Sequence, residues 1–239
     1  MKYYQQFGCL LLVLLLFSCE RIDVQDNKRL VFSGNLTDES GQPISNALIS
    51  STLLNSDNIS NVQNITGQSQ SDDNGNFEFI ALAPKATESN LIIDSNFGND
   101  EQNQDSRYVN FNLNFPNSRI FDEVFEVNIN DLVLPRQSKL EVDIKKTSSN
   151  SVILNWSLDY ISDVCFVEIS SVEELDNISF CDNFIRTSGQ NNPNNPDTKI
   201  DFYSLRNSEA IFSYNIDGEP TQSIQIPLNN ADNVFEFTY

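Results

Sequence analysis

Ser71-Asp72-Asp73-Asn74-Gly75-Asn76-Phe77-Glu78-Phe79 holds a turn and the start of a strand in one short run. Adjacent Asn74 and Gly75 supply the positive backbone angles of a two-residue type I′ turn, which predicts a hairpin between 69–73 and 76–79. Beyond the turn, Phe77 and Phe79 fall on one parity and Asn76 and Glu78 on the other, as on a strand with one buried face. Working outward, the same texture repeats along the chain. Short runs of Val, Ile, Phe and Leu alternate with clusters of Asn, Asp, Ser and Gly, and no stretch after residue 28 keeps a helical period. The class is therefore all-β.

Strands are predicted at 29–37, 47–54, 76–83, 90–94, 108–115 and 124–130, after which Pro135 marks a domain exit. A second set follows at 139–145, 151–158, 164–169, 178–185, 200–205, 210–216, 222–227 and 234–239. Leu140, Val142 and Ile144 alternate with Glu141, Asp143 and Lys145, so this strand buries one face of a sheet. Val152, Leu154, Trp156 and Leu158 share one parity, which makes the lone tryptophan a core residue rather than a stacking platform. Surface stacking would use Tyr203, Tyr214 or Tyr239. Asp217-Gly218 gives a second hairpin, longer and less defined because Glu219-Pro220 follows. Gly34 marks a bulge or a close backbone approach. Two polar segments, 95–107 and 187–198, read as solvated loops that could also present a binding surface.

A run of motifs carries a resemblance. Phe32-Ser33-Gly34-Asn35-Leu36-Thr37-Asp38 is followed by Gly41-Gln42-Pro43-Ile44, by Ala47-Leu48-Ile49, and then by the 71–79 stretch. Residues 32–83 in this order resemble the carboxypeptidase regulatory-like family, a transthyretin-type β-sandwich. The resemblance implies an accessory module with no chemistry of its own. In the second half, Ser151 to Trp156 with Cys165-Phe166-Val167 is similar to a fibronectin type III-like or other immunoglobulin-like sandwich. The expected organisation is two tandem β-sandwich domains, at 29–135 and 136–239.

The amino terminus indicates where such a protein would sit. Lys2 precedes an apolar run, Leu10 to Phe17, too short to span a bilayer. Leu16-Phe17-Ser18-Cys19 resembles the lipobox of bacterial lipoproteins. That implies a signal peptide at 1–18, a lipid-modified Cys19 and a polar tether at 19–28. Acyl chains on Cys19 would hold the protein on the outer membrane, at its surface or on its periplasmic face, each buried methylene contributing about 0.8 kcal/mol. Bacteroidota surface lipoproteins commonly carry domains of the resembled family.

Charge and composition exclude several functions. The net charge is −20, so phosphate backbones and anionic lipid surfaces repel the chain, and nucleic-acid binding is not expected. There is no histidine, which removes Ser-His and Cys-His nucleophile systems and the commonest zinc ligand. With Cys9 in the signal and Cys19 lipidated, Cys165 and Cys181 remain. They either form a disulfide, worth on the order of 3 kcal/mol in the chain-entropy model, or pack as two buried thiols.

Other candidates weigh less. Asp72, Asn74 and Asn76 have calcium-loop spacing, but Phe77 stands where that loop needs glycine, and a turn explains them. Asp94, Asn96, Asn99, Asp100, Glu101 and Asp105 offer similar ligand chemistry. Glu168, Glu173, Glu174, Asp176 and Asp182 could supply a carboxylate pair for glycoside hydrolysis, but any chain with 34 acids offers one. No catalytic residue, metal or cofactor is assigned. The reading is a non-catalytic outer-membrane lipoprotein acting as an accessory or interaction module. Its partner is a protein or a glycan, and the 187–198 loop of the second domain presents the surface. The alternatives are a carbohydrate-binding lipoprotein of a glycan-uptake system and an adhesin or filament subunit. In a filament, 233–239 would act as a donor strand instead of closing its own sandwich.

Overall fold

A computed structural model describes residues 24–54, 63–85, 90–96, 107–177 and 183–239. Cys19, Cys181, the first residues of the tether and most of the 95–107 loop lie outside the described residues. The first half forms β1 (Val24–Thr37), β2 (Leu48–Leu54), β3 (Gln63–Gln70), β4 (Asn76–Pro84), β5 (Asn90–Ser95), β6 (Asn110–Phe115) and β7 (Glu126–Val133). The second forms β8 (Gln137–Lys145), β9 (Leu154–Ile161), β10 (Val164–Glu168), β11 (Phe184–Asn191), β12 (Thr198–Leu205), β13 (Glu209–Ile216), β14 (Gln222–Pro227) and β15 (Asp232–Thr238). Two short 3-10 turns, Ser118–Phe121 and Val172–Asn177, complete the described elements.

The strands make four sheets, β4-β1-β7 and β10-β6-β5-β2-β3 in one sandwich, β12-β8-β15 and β11-β9-β13-β14 in the other. With β10 set aside, each half contributes seven strands, and the two halves use them identically. The fourth, first and seventh make one sheet; the third, second, fifth and sixth make the other. In both, the opening strand pairs antiparallel with the fourth and parallel with the last. The second domain is a sandwich as expected, and its strand order is that of the first.

Alternation builds both cores. Leu140, Val142 and Ile144 have no exposed surface and meet Leu154, Leu158 and Phe212 from the facing sheet. In the first core Phe32 stacks on Phe79 at 5.4 Å, and Phe121 packs edge-on to Phe32 and tilted against Phe115. Ring pairs at such distances stabilise beyond the area they bury. Gly34 behaves as its sequence context predicts. The register of β1 on β7 shifts between Gly34 and Leu36, and a Cβ at Gly34 would lie 2.1 Å from the Ile129 carbonyl oxygen.

Several expectations are corrected. The expected tether, 19–28, is strand over its second part, because β1 already begins at Val24, opposite Pro84. Asn74-Gly75 is not a type I′ hairpin. Only Gly75 has positive φ, at 82°, and β3 and β4 pair into different sheets, so the turn carries the chain across the sandwich. Asp72 shapes it by accepting the backbone N–H groups of Asn74 and Asn76, and Gly75 N–H donates to Asp72 O. By contrast, Asp217 and Gly218 both have positive φ, 49° and 79°, and Glu219 N–H closes the turn on Ile216 O. That turn is tighter than its sequence predicts.

The 187–198 segment is a loop over only half of its length. Its first residues belong to β11, which pairs along β9 with Arg186 opposite Asp159. Finally, the 136–239 boundary is crossed. β10 leaves the second sandwich and adds in parallel to the edge of β6, from Val164 opposite Asn110 to Glu168 opposite Asn114. Cys165, Ile169 and Leu175 are buried in the first core. An apolar edge strand is stabilised where a neighbouring sheet leaves an open edge, and β6 supplies one.

Candidate functional site

Main-chain hydrogen bonds hold the linker and the strand ends beside it at the seam between the sandwiches. Val109 N–H donates to Pro135 O, Gln137 N–H to Arg107 O, Arg206 N–H to Arg136 O and Lys139 N–H to Ala231 O, all within 2.7–3.0 Å. The linker itself is buried, with Leu134 fully enclosed and its N–H on Thr37 O. These bonds bring four distant segments around a cavity of about 370 Å³, whose walls include Arg107, Arg136, Lys139, Tyr203, Arg206 and Asp232. A neighbouring hollow shares Arg136 and Arg206 and opens toward Asp38 and Glu39.

Electrostatics orders the walls. Asp38, its side chain almost wholly buried, takes Arg136 Nη2 at 2.7 Å. Burial alone would raise its pKa. The Ser40 hydroxyl, the Arg136 guanidinium and the backbone N–H groups of Gln42 and Ser40 outweigh that and hold the carboxyl well below the usual range. The same bond, with the charge of Asp38, raises the pKa of Arg136 further. Lys139 is paired with Asp201 at 3.0 Å. Arg206 spends its backbone N–H on Arg136, and its guanidinium makes no ion pair among the described residues. Tyr203 keeps 43% of its surface exposed beside these cations.

The residues singled out from sequence fall in different places. Trp156 is core, 7% exposed, and its Nε1–H donates to Asn191 Oδ1 at 2.9 Å. Asn191 is fully buried, accepts the Thr198 hydroxyl as well, and donates to Pro196 O. Of the three tyrosines, Tyr214 packs on Phe237 and bonds Gln222, and Tyr239 donates its hydroxyl to Pro196 O. Only Tyr203 stands at the seam. Cys165 is fully buried and disulfide-bonded, while Cys181 lies outside the described residues.

The Asp72 carboxylate serves its own turn, on the rim of a shallow hollow of about 550 Å³ at the end of the first sandwich. Asp94, on β5, accepts the Thr52 hydroxyl, and burial pushes its pKa up to about 6 against that bond. No three His, Cys, Asp or Glu side chains converge as a metal-binding group among the described residues. The seam cations escape sequence reading because they come from three segments far apart in the chain, at 107, 136–139 and 206. Their scarcity, 14 basic residues against 34 acidic, is the one signal that could draw attention to them.

No protein-family model matches the chain, and no curated protein matches it. Among solved structures the chain is similar to the Bacillus anthracis TIE protein, at 10% identity over 89% of this chain and 34% of that one, TM-score 0.31. It is similar to the tip fimbrial protein Mfa3 from Porphyromonas gingivalis, at 9% identity over 83% and 81%, TM-score 0.26. It is also similar to the shaft pilin SpaA from Lactobacillus rhamnosus GG, at 8% identity over 88% and 97%, TM-score 0.28. The chain spans about a third of the length of the first of these. The strand order and the two cores, not these likenesses, define the fold.

Proposed function

We propose that the protein is a non-catalytic cell-surface module, anchored through lipid on Cys19, that captures a ligand at the seam between its sandwiches as an adhesin does. The observation that carries this reading is the seam itself. Linker, strand ends and turns from both sandwiches converge there, and β10 ties the second sandwich to the first sheet. A cavity held by main-chain bonds on both sides is positioned without relying on a long loop. The 187–198 segment is half strand, at the end of β11 and the start of β12, so the cavity rather than this segment is taken as the presenting surface. A filament subunit that donates β15 would have to strip that strand from β8, which it follows from Asp232 to Thr238. Capture at the seam leaves β15 in place.

Protease treatment of intact cells tests the location. Digestion on intact cells, with a Cys19→Ala variant no longer sedimenting with membranes, is the expected result. Protection until the cells are lysed would contradict it.

A further inference from the structure

We propose that the seam cavity binds an acidic sugar, a saccharide bearing carboxylate or sulfate. This rests on the surface-capture reading and names its ligand. Four of the 14 basic residues of a chain with net charge −20 come from three segments to one cavity, Arg107, Arg136 with Lys139, and Arg206. A guanidinium presents several N–H groups in a planar fork that suits two oxygens of one anion. Arg206 has its fork unpaired among the described residues, and Arg136 commits Nη2 to Asp38.

Tyr203, 43% exposed on the wall, offers a flat apolar face for a pyranose ring with its hydroxyl at the edge. Asp232, on the same wall, can accept hydrogen bonds from sugar hydroxyls. A volume of about 370 Å³ suits one or two sugar rings. The strongly acidic remainder of the chain repels an extended polyanion, so the site takes a short or terminal acidic unit and not a nucleic acid.

Calorimetry on the full-length protein in detergent tests this, with digalacturonate, its dimethyl ester and sodium sulfate as probes. The expected result is binding of the diacid, with the uncharged ester weaker by about tenfold or more. Arg206→Ala and Tyr203→Ala should each weaken the diacid by at least about tenfold with melting temperature unchanged. Lys199→Ala, which removes an exposed cation paired with Glu141 farther along the strands and outside the cavity wall, should bind as wild type. Equal affinity for acid and ester, sulfate binding as tightly as the sugar, or an indifferent Arg206→Ala variant would each overturn the proposal. So would a wild-type protein that ignores the diacid at millimolar concentration. Because the readout is purified protein, failure here leaves the surface-exposure test on cells standing or falling separately.

Discussion

Asn191 shows how one side chain can hold a domain together. It is fully buried, and it pairs the Trp156 N–H, the Thr198 hydroxyl and the Pro196 carbonyl. Asn191→Leu keeps the bulk but takes the acceptor from the Trp156 N–H and the Thr198 hydroxyl, while Pro196 O keeps the Tyr239 hydroxyl, and an unsatisfied buried group costs about 1–3 kcal/mol. Urea denaturation should show the variant destabilised by at least that much. Next to it, a Cβ on Gly189 would lie 2.4 Å from Trp156 Cζ2, so Gly189→Ala should cost about 1–3 kcal/mol by overpacking.

Asp94 makes a prediction in pH. Burial raises its folded pKa to about 6 from an ordinary 3.8. Its stabilising share is complete below the unfolded value and is lost as pH rises through the folded one. Asp94→Asn should therefore raise stability at neutral pH by about 1–3 kcal/mol and make little difference near pH 4. Asp38 runs the other way. Its lowered pKa gives stability that is present at neutral pH and begins to be lost as pH falls below the ordinary carboxylate range.

At the scale of elements, strands with alternating apolar residues were legible, and polar edge strands were not. β8 and β4 announce themselves by parity, whereas β3 (Gln63–Gln70) has one large apolar residue, Ile65, and that side chain is 56% exposed. An edge strand needs only one hydrogen-bonded neighbour and no buried face, so its sequence can look like a loop. β11 misleads for the same reason, since its inward contacts are a glycine and an asparagine. Deleting 187–198 should therefore unfold the second sandwich, seen as lost near-UV circular dichroism, where a true surface loop could be removed without that effect. β10 was legible as a strand, but its sheet was not, because pairing across the molecule leaves no local mark. A disulfide between Cys165 and Cys181 remains a proposal. A nonreducing peptide map should yield the two cysteines in one linked fragment, and a linked fragment with another cysteine would reject it.

For the whole molecule, two copies of one strand order share a seam, and the candidate site is legible only once both are folded. Residues 107, 136, 139 and 206 approach one another through main-chain bonds that no local pattern encodes. Of the site's walls, sequence singled out Tyr203 alone, as a bare aromatic option. The seam depends on β10, which borrows residues from the second half to finish the first sheet. Native-state hydrogen exchange of the β10 amides tests this most directly. The account predicts that those hydrogen-bonded to β6 exchange together with the first sandwich, at its opening free energy. Fast exchange, or exchange in step with β9 and β11, would contradict it.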